Sequence, residues 1–119
     1  MTTRVFVYGS LRRGERANGF LADAMFVGLA RTVPGFTLYD LGAFPAMVQT
    51  GEGSVLGELY DVDDATLARL DRYEGHPHFY LRQPITLEHG GRAEAYLLQV
   101  DQVCGTAIVC EGDWRARTG

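Results

Sequence analysis

The sequence of 119 residues contains few cysteines, few histidines and no apolar run long enough to span a bilayer. Cys104 and Cys110 are its two cysteines, so no disulfide framework is indicated, and their spacing cannot show whether they pair. Two small buried thiols are the favoured interpretation, because unpaired cysteine behaves as a small apolar residue. No histidine cluster completes a metal site with them, so no metal is expected there.

An excess of positive charge is also absent, since the formal net charge is −4. This balance argues against a general nucleic-acid binder, which needs a basic face for phosphate contacts. Arg12, Arg13 and Arg16 form a local exception, for which a solvated loop is the favoured interpretation and steering of anionic substrates the alternative. The first residues show no signal peptide, so we expect a cytoplasmic protein without a membrane partner. Nothing in the sequence indicates the oligomeric state.

The spacing of apolar runs and turn residues predicts a single domain, residues 1–119, of many short strands. The predicted strands are 5–7, 25–32, 36–41, 46–49, 55–62, 81–88, 92–100 and 106–110, with a glycine turn at 51–53 and a short helical piece at 19–24. Many strands with one main helix favour an α+β class. We expect a small mixed β-barrel with the helix covering an opening.

The main helix is predicted over residues 63–73, where helix-forming residues lie between clear start and stop signals. Asp63 or Asp64 can cap its beginning, because a carboxylate there accepts unpaired backbone N–H groups. Gly75 and Pro77 end it, since glycine adopts the left-handed cap and proline cannot continue a helix.

A short apolar strand followed by Tyr8-Gly9-Ser10-Leu11 is the most informative segment of the chain. Gly9 permits a sharp turn that a side chain would hinder. The amides of Ser10 and Leu11 can then leave the strand end as a group of donors. Such a group is suited to bind a carboxylate or an oxyanion.

Glu74 is the candidate acid–base residue. It lies at the carboxyl end of the predicted helix, among bulky neighbours that include Tyr73, Phe79 and Tyr80. The helix dipole and burial would both raise the pKa of its carboxyl group, which suits proton transfer near neutral pH. From position alone, a solvent-exposed carboxylate at a frayed helix end is the more common alternative.

Two further chemistries have weaker support from the sequence. Ser10 as a nucleophile would need His76 or His78 as base and Asp71 as orienting group, but the Gly-x-Ser-x-Gly elbow is absent. The same two histidines lack a third metal ligand.

The tyrosines of the chain are expected in the core or the barrel wall. One or two of them can line a pocket with a hydroxyl that orients the ligand; they are Tyr8, Tyr39, Tyr60, Tyr80 and Tyr96.

Four ordered segments of the chain resemble the γ-glutamylcyclotransferase-like superfamily. Residues 5–14 resemble its Tyr-Gly-Ser/Thr-Leu signature, and residues 42–48 are similar to its aromatic-Pro segment. Residues 55–62 resemble its Gly-Glu-Val/Leu-Tyr strand, and residues 70–82 its Leu-Asp-x-x-Glu-Gly…Tyr-x-Arg block. The most similar subgroup is that of small single-domain, AIG2-like proteins near γ-glutamylamine cyclotransferase.

The resemblance implies a pocket between the residue 8–11 loop and a catalytic Glu74, with Tyr80 and the loop residues Tyr8, Gly9, Ser10 and Leu11 binding substrate. It implies release of 5-oxoproline and an amine or amino acid from an L-γ-glutamyl compound, with no metal or cofactor. The chain is shorter than the glutathione-acting members, so the leaving-group side is undefined. The alternative is a non-catalytic protein that binds γ-glutamyl or 5-oxoproline-like acids.

Overall fold

The computed structural model describes residues 2–109 and 111–116, and this part of the chain forms one mixed eight-stranded sheet with one α-helix. The strands are β1 (Thr2–Val7), β2 (Met25–Arg31), β3 (Phe36–Asp40), β4 (Pro45–Gly53), β5 (Leu56–Asp63), β6 (Leu81–Thr86), β7 (Arg92–Leu98) and β8 (Ala107–Ile108), and the helix is α1 (Asp64–Glu74). Short 3₁₀ turns lie at Asn18–Leu21, Val100–Val103 and Trp114–Ala116.

The sheet divides at β7. Its strand order is β2-β5-β1-β7-β4-β3-β8, and β6 also pairs with β7. Because β6 occupies one edge of β7, β1 and β4 share the other edge, both parallel to it. Val5 of β1 is opposite Glu94, whereas Met47 of β4 is opposite Leu97. β1 therefore diverges from β7 where β4 begins to pair with it, and the residues after β1 lie between the ends of β1 and β4.

The Tyr8 hydroxyl occupies this division of the sheet. It donates a hydrogen bond to the Tyr96 carbonyl on β7 and accepts one from the Met47 amide on β4, at 2.5 and 3.1 Å. These two backbone groups lie where the β1–β7 ladder ends and the β4–β7 ladder begins. A buried side-chain hydroxyl thus satisfies backbone groups at the point where the strands diverge.

The second half of β1 is buried on both faces, as expected for a central strand. Val5 and Val7 belong to one core cluster, which also contains Leu70 of α1. Phe6 and Tyr8 point to the opposite face and belong to a second cluster. The strand that leads to the loop is therefore fixed from both sides.

α1 begins and ends where its sequence signals predict. The Asp63 side chain accepts a hydrogen bond from the Thr66 amide at 2.8 Å, so Asp63 and not Asp64 is the N-cap. Gly75 ends the helix in the left-handed conformation, with φ of 72°. Leu70 is fully buried and attaches the helix to the sheet.

Several boundary predictions are wrong. β4 continues through the predicted turn at 51–53 to Gly53, with an irregular register opposite Phe36. The predicted helical piece at 19–24 is the 3₁₀ turn Asn18–Leu21. The strand predicted over 92–100 ends earlier, at Leu98, and Val100 already belongs to the 3₁₀ turn Val100–Val103. For β4, pairing with β3 overrides the local turn signal.

The predicted barrel is not confirmed. An isolated antiparallel bridge between Thr32 and Leu87 connects the ends of β2 and β6, but the sheet itself is not closed. The prediction of a buried thiol is wrong for Cys104, which is exposed, and Cys110 lies outside the described residues. None of the helices in the described ranges has the length and apolar character needed to cross a bilayer.

Tyr8→Phe should lower the free energy of unfolding by about 1–3 kcal/mol, because it leaves the buried Met47 amide and Tyr96 carbonyl without their shared partner. Urea denaturation monitored by circular dichroism measures the change. Tyr39→Phe is the matched control, since the Tyr39 hydroxyl makes no hydrogen bond within the described ranges. Equal effects of the two substitutions would contradict the role assigned to Tyr8.

Candidate active site

A cavity of about 240 Å³ opens where β1 leaves the sheet. This volume lies just below the usual range for ligand pockets, from about 300 Å³ upward, which suits a small polar group more than a large cofactor. The segment after β1, the end of α1 and the residues before β4 and β6 line it; they include Tyr8, Gly9, Ser10, Leu11, Arg16, Phe44, Pro45, Tyr73, Glu74, Phe79 and Tyr80. The predicted site residues are therefore brought together at one cavity.

In the loop at residues 9–11, which follows β1, the backbone carbonyls accept hydrogen bonds, whereas the amides donate none within the described residues. The carbonyls of Gly9 and Ser10 accept from the amides of Arg12 and Ala17, and the Leu11 carbonyl accepts from the Asn18 side chain, at 2.8 to 3.0 Å. Within the described residues, the amides of Gly9, Ser10 and Leu11 donate to no acceptor. Three consecutive unpaired donors beside a cavity are suited to bind an anion.

Gly9 is required by a close approach and not by its backbone angles. A Cβ atom at this position would lie 2.5 Å from Cγ of Pro45, and φ of Gly9 is not in the left-handed region. The expectation that Gly9 is needed for a sharp turn is therefore wrong. Glycine is needed there because the loop packs closely on the Pro45 ring. The Tyr80 hydroxyl donates to the Pro45 carbonyl at 2.7 Å, so Pro45 is fixed on its other side.

Glu74 is the last residue of α1 and is half-buried in the cavity wall. Its carboxylate makes no hydrogen bond and no ion pair within the described ranges. Burial raises the pKa of this carboxyl group from 4.5 to about 7. The exposed, frayed carboxylate is thus the wrong alternative, and Glu74 exchanges a proton easily near neutral pH.

An ion-pair network supports the end of α1 one turn before Glu74. Both Asp71 carboxylate oxygens accept from the Arg82 guanidinium, at 2.9 and 2.7 Å. The Tyr96 hydroxyl also donates to Asp71, at 2.7 Å. Because Arg82 is on β6 and Tyr96 on β7, these contacts attach the helix end to the sheet. They give Asp71 and Arg82 of the residue 70–82 block a structural role.

The hydroxyls of Tyr8 and Tyr80 are directed to backbone carbonyls, although both residues line the cavity. Burial raises the pKa of both phenols, so both stay neutral at physiological pH. The structure therefore gives them a positioning role through the backbone. Binding of substrate by these residues stays a prediction.

The weakly supported Ser-His-Asp arrangement is not assembled. Ser10 Oγ lies 3.2 Å from the Tyr73 hydroxyl, whereas Nδ1 of His76 accepts from the Arg82 amide. Asp71 is engaged by Arg82 and Tyr96. In the part of the chain that the structure describes, no group of three or more His, Cys, Asp or Glu side chains has the arrangement of a metal site.

The three arginines after the loop differ in their surroundings. Arg12 is only 4% exposed and is paired with Glu58 and Asp113, so the solvated-loop interpretation is wrong for it. Arg13 lies over the Phe26 ring at 4.6 Å. Arg16 is exposed and lines the cavity.

The chain is similar to known proteins over nearly its whole length. The sequence model of the family described as "Gamma-glutamyl cyclotransferase, AIG2-like" matches residues 5–116. The chain belongs to this family. The matched range contains the loop after β1, α1 and the supporting strands.

Relatives of this γ-glutamyl cyclotransferase family member cover nearly its whole length. The γ-glutamylcyclotransferase family protein YtfP of Escherichia coli K12 is 38% identical over 114 residues, which are 96% of this chain and 97% of YtfP. Its solution structure has a TM-score of 0.72 to this chain. A mouse AIG2-like protein is 26% identical, with a TM-score of 0.79 over 90% of this chain and 85% of the mouse chain. These similarities support the same small α+β fold.

Gly9→Ala should weaken binding of L-5-oxoproline about tenfold or more, because the added methyl group displaces the loop from Pro45. Isothermal titration calorimetry measures the affinity. Gly19→Ala is the control: it adds the same methyl group where no atom lies within 4 Å and φ is not positive. Unchanged affinity in a folded Gly9→Ala protein would contradict a ligand-binding role of the loop.

Proposed function

We propose that this protein is a γ-glutamyl cyclotransferase, which converts an L-γ-glutamyl compound to 5-oxoproline and a free amine or amino acid. The observation that carries the proposal is Glu74, an unpaired, half-buried carboxylate with a pKa of about 7 in the same cavity as three unpaired loop amides. Family membership supports the same reaction class. The sequence resemblance implies the catalytic role of Glu74.

The proposed reaction needs no nucleophile from the enzyme, because the substrate contains one. The α-amine attacks the γ-carbonyl carbon, and a five-membered lactam forms as the bond to the leaving nitrogen breaks. Well-oriented intramolecular reactions of this kind reach effective molarities of about 10⁵ M or more. The cavity therefore has to hold the substrate folded, with its amine beside the γ-carbonyl.

Glu74 moves the proton that this reaction transfers. As a carboxylate it accepts the proton that the α-amine loses during attack, and as a carboxylic acid it returns this proton to the leaving nitrogen. No water or metal ion is consumed, and Glu74 ends in its starting state. A group whose pKa is about 7 does both steps at neutral pH, since neither protonation state is strongly disfavoured.

The loop amides stabilise the negative charge of the substrate. Two groups of a γ-glutamyl compound suit Gly9, Ser10 and Leu11: its α-carboxylate, and the oxyanion that develops on the γ-carbonyl. Fixed backbone donors reorganise little during reaction, which favours the transition state.

The leaving group would extend past Arg16, Tyr73 and Phe79, which line the same cavity with exposed side chains. The two aromatic rings suit the apolar stem of an amine. Of the three arginines after β1, Arg16 alone lines this cavity, so we assign to it any preference for a leaving group with a negative charge.

Glu74→Gln should reduce the release of 5-oxoproline by ~10²-fold or more, because the amide retains the shape but accepts no proton. Binding of L-5-oxoproline and the fold should be retained. The measurement is 5-oxoproline release from a panel of γ-glutamyl amines and γ-glutamyl dipeptides. Glu88→Gln is the control, since Glu88 is exposed and does not line the cavity.

Wild-type rates from the Glu74→Gln variant would remove Glu74 from the mechanism. If wild type releases no 5-oxoproline from any donor but still binds it, the non-catalytic alternative replaces the enzyme.

The pH dependence of kcat/KM should rise with a midpoint near 7, because Glu74 must be ionised to accept the amine proton and its pKa is about 7. Activity is therefore low where the carboxyl group is protonated and increases as pH passes through that value. The α-amine of the substrate also titrates, at higher pH. The pH profile of the residual activity of Glu74→Gln separates the titration of Glu74 from that of the substrate amine, since this profile should lack the inflection near 7. A midpoint near 4.5 would contradict burial of Glu74 in the free enzyme.

A further inference from the structure

A buried ion pair lies directly after the loop with unpaired amides. Glu58 of β5 is 2% exposed, and Arg12 is 4% exposed. Oε2 of Glu58 accepts from Nε of Arg12 at 3.2 Å, and Oε1 accepts from the backbone amide of Arg13 at 2.8 Å. One carboxylate therefore holds the side chain of one loop residue and the main chain of the next.

The residues after β8 complete this network from outside. Oδ1 of Asp113 accepts from Nη1 of Arg12 at 2.9 Å, so the guanidinium lies between two carboxylates. The Arg115 side chain donates to the Arg13 carbonyl. The Leu56 amide at the start of β5 donates to the Gly112 carbonyl, at 2.8 Å. Strand β5 and residues 111–115 thus enclose the segment that follows the loop.

Stability alone is a poor explanation for this arrangement. Removing two charges from water costs about as much as their attraction returns, and buried ion pairs are often replaced by apolar residues without loss. Their best-supported benefit is to fix one geometry. Here the fixed geometry is that of Arg12 and Arg13, the residues that immediately follow the unpaired amides of Gly9, Ser10 and Leu11.

We propose that Glu58 is a positioning residue, which acts through Arg12 and the Arg13 amide to hold the loop amides in the geometry that binds the α-carboxylate of the substrate. The inference rests on the proposed function for the identity of that substrate. It does not involve contact between Glu58 and substrate, since Glu58 does not line the cavity. Amides held in place before binding need no ordering when the ligand arrives, which increases affinity.

Glu58→Gln tests the proposal, because an amide still accepts from the Arg13 backbone but leaves Arg12 with only one of its two carboxylate partners. We expect affinity for L-5-oxoproline to fall about tenfold or more, and kcat/KM for a γ-glutamyl donor to fall mainly through KM. The midpoint of the pH profile should not move, since Glu74 on α1 sets it. An unchanged affinity, or a loss confined to kcat, would overturn the positioning role.

Asp61→Asn is the matched control. Asp61 is on the same strand and forms a bidentate ion pair with Arg4 at the protein surface, so the substitution removes the same charge and releases an arginine. Surface ion pairs contribute little to stability. This variant should bind L-5-oxoproline as wild type does. An equal loss of affinity in both variants would mean that the change in net charge, and not the position of Glu58, causes the effect.

A second measurement does not depend on catalysis. The ¹⁵N order parameters of the loop residues 9–13 should decrease in Glu58→Gln, while those of the β-strands stay unchanged. If Glu58→Gln does not fold, Arg12→Lys is used instead, because lysine keeps a positive charge beside Glu58 but lacks the Nε–H group that donates to it. Rigid loop amides in a folded variant would overturn the proposal. Absence of turnover in wild type would instead reject the proposed function, and the order parameters would still decide the role of Glu58.

Discussion

The sharing of one β7 edge by β1 and β4 is the constraint on which the rest of this structure depends. Two parallel strands cannot both continue along the same edge, so β1 leaves at the point where β4 begins. The Tyr8 hydroxyl satisfies the backbone groups at this division. The following loop has no neighbouring strand, so within the described residues the amides of Gly9, Ser10 and Leu11 stay unpaired. The cavity is therefore a consequence of strand pairing.

The elements that depend on local signals can be predicted from the sequence. α1 has a capping aspartate, a buried Leu70 and a terminal Gly75, and each of these acts through residues within one or two turns. The division at β7 cannot be predicted in this way, because it depends on pairings between residues about 50 positions apart, such as Met47 and Leu97. The same limit explains the extension of β4 through a glycine-rich segment. Long-range pairing supplies a partner that overrides its turn propensity.

The candidate site is predictable where a family resemblance marks it, and not where burial decides. Position alone favours an exposed carboxylate at Glu74, and the resemblance of residues 70–82 to a block of the family is what identifies it as the candidate catalytic residue. Arg12 is assigned to solvent on sequence alone, as arginines in a polar stretch usually are. A signal is present on β5, where Glu58 shares a strand face with Tyr60 and Val62, which are both buried. A charge on an apolar face needs a buried partner, but sequence alone does not say which arginine supplies it.

The burial that suits Glu74 to proton transfer also weakens the fold. Its folded-state pKa of about 7 lies above the ordinary value of 4.5, so the folded protein binds this proton more tightly than the unfolded chain. Stability therefore decreases as pH rises from 4.5 to 7, and above that range the full penalty of a buried, unpaired carboxylate remains. The Asp71–Arg82 pair and the fully buried Leu70 secure the same helix, so α1 retains its place when Glu74 is ionised. A residue that acts as base and then as acid needs a carboxylate whose pKa is raised and whose position is fixed. Burial of Glu74 and the attachment of the α1 end meet these two needs.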